Sequence, residues 1–189
     1  MKRLAMSALL LAAEPMPATA EIVQSSAIGF ALDQALTIDA PIARVWAALK
    51  MPQYWWDKDH TYSDDPANLY LDAQAPGCFC ERIPDGKGSV EHAHIVYIAP
   101  GRMIRMVGSL GPLQAEAVTG TLTFKLDPEG EKTRVTMSYV VGGYVRAGAD
   151  TLAPKVDEVL ALQILNLKTF AETAPVKTDR ADKTRVEGR

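Results

Sequence analysis

The chain has 189 residues, with 20 Lys+Arg against 23 Asp+Glu, a formal net charge of −3 and 48% hydrophobic residues. That composition fits one globular domain large enough for a self-sufficient core, and it does not fit disorder, which pairs low hydrophobicity with high net charge. With no basic stripe, and no run near the ~20 apolar residues that cross a bilayer, neither nucleic-acid binding nor a transmembrane segment is expected.

Residues 1–20 read as an export signal: Lys2 and Arg3, the apolar run LAMSALLLAA, then EPMP and Ala18-Thr19-Ala20, the small-x-small pattern of a cleavage site. The mature chain would begin at Glu21, with 21–29 as an N-terminal lead, and would be periplasmic in a Gram-negative host. Phe30, Leu32, Leu36 and Ile38 recur at period two, which predicts a half-buried strand. Asp39 is placed to cap a helix and Pro41 to sit in its first turn; this helix runs through Val45, Trp46 and Leu49, and a second short one is expected around Gln53 to Trp56. Strands are expected near 69–73, 77–83, 89–98, 102–109, 115–126 and 132–144, separated by Pro84-Asp85-Gly86, Pro100-Gly101 and Asp127-Pro128-Glu129-Gly130. Val118, Leu122 and Phe124 alternate with threonines, and Val135, Met137, Tyr139 and Val141 alternate with polar residues, so each strand has one inner face. A long helix over 153–173 carries Val156, Val159, Leu160, Gln163, Leu167 and Phe170 on one stripe. A mobile charged tail is expected over 175–189.

One strand, two short helices, six antiparallel strands and a long helix make an α+β order in which the sheet must wrap the helix, because each has one apolar face to bury. That order, with Thr37-Ile38-Asp39-Ala40-Pro41, Val45-Trp46 and Val96-Tyr97-Ile98-Ala99-Pro100-Gly101-Arg102, resembles the START-like helix-grip superfamily (SRPBCC), in its polyketide cyclase-like or activator-of-heat-shock-protein-ATPase-like branch. The resemblance spans the domain at 30–174. It implies a curved seven-stranded antiparallel sheet around the C-terminal helix, and a cavity between them for a hydrophobic or amphipathic molecule such as a lipid. The expected function is therefore small-molecule binding by an exported protein, a monomer or weak dimer.

Chemistry concentrates in Cys78-Phe79-Cys80-Glu81 and Val90-Glu91-His92-Ala93-His94, on two adjacent strands. A two- or four-residue hairpin loop puts Phe79, Glu81 and Ile83 on the face of Val90, His92, His94 and Val96. The four-residue case, which sets Ile83 opposite Val90 and Glu81 opposite His92, is favoured for its apolar match. Glu81 and His92 are then a candidate catalytic acid–base pair of a cyclase or aromatase type of enzyme. A three- or five-residue loop would instead unite Cys78, Cys80, His92 and His94 as a metal or redox site. The two cysteines are expected as packed thiols, since i and i+2 Cα atoms on an extended strand are about 6.5–7 Å apart, near the limit for a disulfide. Candidate ligand contacts are Trp55, Trp56, Phe79, His94, Val96, Phe124, Tyr139 and Gln163. Asp57, Asp59, Asp64 and Asp65 lack the spacing of a calcium loop, and no phosphate-binding loop, nucleophile elbow or dinucleotide fingerprint occurs, so no cofactor is expected.

Overall fold

The computed structural model describes residues 19–175. Eight strands form one antiparallel sheet: β1 (Thr19–Ser26), β2 (Gly29–Ile38), β3 (Leu69–Leu71), β4 (Cys78–Ile83), β5 (Gly88–Ala99), β6 (Met103–Gly108), β7 (Ala117–Glu129) and β8 (Lys132–Tyr144). Their order across the sheet is β1-β2-β8-β7-β6-β5-β4-β3. Every neighbouring pair except β2–β8 is consecutive in sequence, which short connections favour.

The sheet has eight strands where the sequence predicts seven. Most of the lead expected over 21–29 belongs to β1, which pairs along β2 from Thr19↔Ala35 to Ser26↔Gly29. An edge strand whose described side chains, 22–26, are all exposed to water needs no apolar periodicity, so its sequence carries no strand signal. The expected signal segment lies outside the described residues except for Thr19 and Ala20 at the start of β1, and so does the expected tail from residue 176 onward.

Between β2 and β3 the chain forms one α-helix, α1 (Ile42–Leu49), and three single 3-10 turns at Pro52–Tyr54, Lys58–His60 and Pro66–Asn68. The expected second helix is thus only a turn, closed by Trp55 and Trp56 N–H groups on the Pro52 carbonyl. Pro41 occupies the N-cap position of α1 with no side-chain cap. Asp39 instead donates its backbone N–H to Glu172 Oε1 at 2.7 Å.

The C-terminal helix α2 runs over Ala149–Thr173, four residues earlier than predicted. Its last carbonyls, left without intrahelical partners, are taken by the Arg44 guanidinium of α1, which donates to Ala171, Glu172 and Ala174. The core lies between α2 and the concave sheet face. Leu32, Leu36 and Ile38 of β2, Val135, Met137 and Tyr139 of β8, and Leu122, Phe124 and Leu126 of β7 are buried there against Leu160, Ile164 and Leu167 of α2. No helix among the described residues is long and apolar enough to cross a membrane.

Candidate functional site

The β4–β5 hairpin sets the site, and its turn decides the register. Asp85 (φ 61°) and Gly86 (φ 69°) both adopt left-handed backbone, the conformation of a tight two-residue type I′ turn that Asp-Gly favours. Ile83 therefore pairs with Gly88 and Glu81 with Val90, rather than Ile83 with Val90 and Glu81 with His92. The register then shifts by one between Phe79 and Cys80, leaving His92 as the extra residue of β5. At this bulge both His92 and Ala93 turn inward, and alternation resumes with Ile95 buried and His94 and Val96 outside.

The bulge joins Glu81 and His92 by another route than the expected direct pairing. Glu81 is completely buried, and its Oε2 lies 3.0 Å from His92 Nε2. The same carboxylate accepts backbone N–H bonds from Tyr62 at 3.1 Å and Ser63 at 2.6 Å. Burial pulls Glu81 toward its neutral form, but the hydrogen bonds from Ser63, Tyr62 and His92 outweigh it and hold its pKa below the ordinary carboxylate value. Burial likewise disfavours a charged imidazole, and the Glu81 carboxylate only partly offsets it, so the His92 pKa lies below its usual value. At neutral pH the pair is thus a carboxylate and a neutral imidazole. An ionised carboxylate only accepts, so His92 carries its proton on Nε2 and leaves Nδ1 bare. No buried side-chain nitrogen or oxygen among the described residues lacks a partner, and His92 lines the main cavity. The bare nitrogen therefore faces the cavity.

That cavity has a volume of about 460 Å³. Its helical wall is Leu152, Lys155, Val156, Val159 and Leu160, spaced i, i+3, i+4, i+7 and i+8 so that they share one face of α2. The second wall is Leu110, Gly111 and Pro112 in the β6–β7 connection. Tyr139 holds that connection: its hydroxyl donates to Gly108 O and accepts from Leu110 N–H. Burial pushes its pKa up to about 12, so the hydroxyl stays a donor.

The roof is the loop from Trp56 to Tyr62. Trp56 is buried, donates its indole N–H to the His60 carbonyl at 3.0 Å, and packs on Phe79 with ring centroids 5.0 Å apart. Gln163 holds this loop to α2: its Oε1 accepts from Asp57 N–H at 2.8 Å, and its Nε2 lies 3.1 Å from His60 Nδ1. Its amide is fully buried and spent on the loop. Gln163→Leu is expected to cost about 1–3 kcal/mol by leaving these loop groups unpaired. Urea unfolding would measure the loss, with faster amide exchange at Asp57 and an unchanged core as its accompaniment.

Of the residues singled out in the sequence, His92 and Trp56 line the cavity, with Glu81 directly behind His92. Trp55, Phe79 and Phe124 surround a separate small void beneath the loop. Tyr139 supports a wall, Gln163 pins the roof, and His94 and Val96 lie on the opposite face of the sheet because the bulge reverses the alternation. Cys78 and Cys80 form a disulfide rather than two thiols. β4 is contracted where the register shifts, which brings their Cα atoms to 5.5 Å, within bridging range. The Cys–His metal alternative is not assembled, with His92 and His94 on opposite faces, and no described group of three or more such side chains could hold a metal ion. Tyr62 and the 110–112 wall carry no sequence signal for the site, whereas Val156, Val159 and Leu160 belong to the apolar stripe read from helical spacing and, with Leu152, prove to face the cavity.

No protein-family model matches the sequence, and no curated protein matches it either. Solved structures do. A protein from Rhizobium leguminosarum superposes with a TM-score of 0.56 at 21% identity, over 83% of this chain and 99% of its own. CalU16 from Micromonospora echinospora superposes with a TM-score of 0.55 at 14% identity, over 85% of this chain and 88% of its own. DynU16, from the dynemicin biosynthetic locus, gives 0.54 at 15% identity, over 76% of this chain and 47% of its own. At these identities the likeness shows the fold: a large antiparallel sheet gripping a long C-terminal helix.

Proposed function

We propose that the protein binds a small hydrophobic or amphipathic molecule in the cavity between α2, the Trp56–Tyr62 loop and the 110–112 connection. The observation that carries this reading is the lining. Valines, leucines, a proline and a tryptophan surround about 460 Å³, into which a few polar groups, His92 foremost, converge. Ligand sites combine an apolar wall with a few placed polar groups in cavities of about 300–1,000 Å³. Export by the segment 1–20 belongs to the same proposal, and places the ligand outside the cytoplasm.

The test fills the cavity. Val156→Trp is expected to weaken an apolar fluorescent probe at least tenfold, with stability changed by no more than about 1.5 kcal/mol. Unchanged probe affinity in that variant, or no binding by the native chain, overturns the reading.

One observation favours a second reading, an enzyme of cyclase or aromatase type. A neutral imidazole backed by a buried carboxylate and facing an apolar cavity is equipped to take a proton from a bound carbon acid. CalU16 and DynU16 share the fold, and DynU16 belongs to a biosynthetic locus. Conversion of a linear polyketone by the native chain, lost in a His92→Gln variant that still binds the probe, is the result expected of that chemistry.

A further inference from the structure

The outer face of β4 and β5 carries a second cluster that the cavity does not use. Cys78 lies opposite His94 and Cys80 opposite Glu91. Directly opposed residues of antiparallel strands project to the same side, so the disulfide and both ionisable side chains share this face. His94 Nδ1 lies 3.3 Å from Glu91 Oε1, closing the cluster alongside the disulfide. Cys80 is buried, Cys78 is the more exposed of the two, and the His94 side chain is 47% exposed. An incoming thiol therefore meets Cys78 first, with an imidazole beside it.

The same bond sits across from the bulge that turns His92 into the cavity. The Cα atoms of Cys78 and Cys80 are 5.5 Å apart, against about 6.5–7 Å for i and i+2 on an extended strand. The contraction coincides with the one-residue register shift between Phe79 and Cys80, and the residue left over by that shift is His92. Phe79, held between the two cysteines, packs on the His92 ring with centroids 4.9 Å apart.

We propose that Cys78–Cys80 is a thiol–disulfide exchange site for a dithiol, and that opening it repositions His92 in the cavity. A thiolate of the dithiol attacks Cys78 Sγ; the Cys78–Cys80 bond breaks and Cys80 leaves as a thiolate that takes up a proton. The donor's second thiolate then attacks the donor sulfur of the mixed disulfide, and Cys78 leaves as a thiolate that takes a proton through His94. Two electrons and two protons pass to the protein, and the donor ends as a disulfide. β4 is then free to extend between 78 and 80, and the offset that turns His92 inward is no longer imposed.

The experiment equilibrates the oxidised full chain with dithiothreitol in native buffer, then quenches it by acid and alkylation for mass analysis. Sheet circular dichroism, tryptophan emission and apolar-probe affinity are followed in parallel. The expected result is double alkylation with the sheet retained, shifted tryptophan emission, and at least a threefold change in probe affinity, all reversed by oxidised dithiothreitol. Cys78→Ser with Cys80→Ser should match the reduced chain, and His94→Gln should slow exchange several-fold without moving its equilibrium. The proposal is overturned if the bond opens only when denaturant unfolds the chain, or if the reduced folded chain keeps the emission and affinity of the oxidised one. Should the probe bind neither form, the ligand-binding reading falls, while alkylation and tryptophan emission still decide this one.

Discussion

Glu81→Ala is expected to destabilise the fold by about 3–5 kcal/mol, because it removes the buried, charged acceptor of a hydrogen-bond network. Three donors converge on that carboxylate, the backbone N–H groups of Tyr62 and Ser63 and the His92 imidazole. Alanine leaves all three facing a space that water must enter or that stays unsatisfied. Tyr62 is also part of the cavity wall, so probe binding should weaken along with stability. Glu81→Gln keeps one accepting oxygen but turns an NH₂ group toward the remaining donors, so an intermediate loss is expected. Guanidinium unfolding with unchanged m-value, read beside amide exchange at Tyr62 and Ser63, measures both. A loss below about 1 kcal/mol for the alanine variant would show that the carboxylate does not organise the loop.

Acid should weaken the fold from near pH 6.5 downward, well before ordinary carboxylates titrate. The sign follows from His92, whose pKa in the folded chain lies below the ordinary imidazole value of 6.5, because burial disfavours its charged form. Above pH 6.5 the imidazole is neutral whether folded or unfolded and contributes nothing to the pH dependence. Below it the unfolded chain takes up a proton that the folded chain refuses, so stability falls as pH falls. Glu81, with a folded pKa below 4.5, adds a second loss in the same direction as pH drops through the carboxylate range. Each proton taken up on unfolding steepens the decline by up to about 1.4 kcal/mol per pH unit. Asp157, whose pKa is raised by burial despite its bond to Gln34, opposes this only at the acid end. The shoulder that begins near pH 6.5 should be absent in His92→Gln, measured as unfolding free energy against pH. If native chain and variant have parallel profiles between pH 5 and 7, the imidazole is not held neutral.

The inner faces of β2, β7 and β8 were legible residue by residue, because period-two alternation is a local property and each of those strands has one dry side. The long helix was legible for the same reason, although its N-terminal turn was not: Ala149 is anchored by donating its N–H to Ala27 O at 2.9 Å, a partner 122 positions away. β1 left no trace in the pattern. Its pairing with β2 is made of backbone hydrogen bonds, which any side chain allows. The partnership of Glu81 with His92 was also readable as two ionisable residues on adjoining strands, but the geometry that joins them was not.

What the sequence determines alone is local: which face of each strand is apolar, where Asp85-Gly86 turns the chain, and that an ionisable pair lies in the β4–β5 hairpin. The tertiary structure decides what those residues do. A one-residue bulge reverses the alternation of β5, so that His92 points into the cavity while His94 and Val96 point away. It also lies opposite the contracted stretch of β4 where Cys78 and Cys80 are joined. Gln163, on the apolar stripe of α2, faces a loop that returns from more than 100 positions earlier, and its amide is consumed there. Turn chemistry and side-chain period are written in neighbouring residues, whereas a bulge or a long-range hydrogen bond depends on which strands and loops meet, and that is settled only when the sheet closes on the helix.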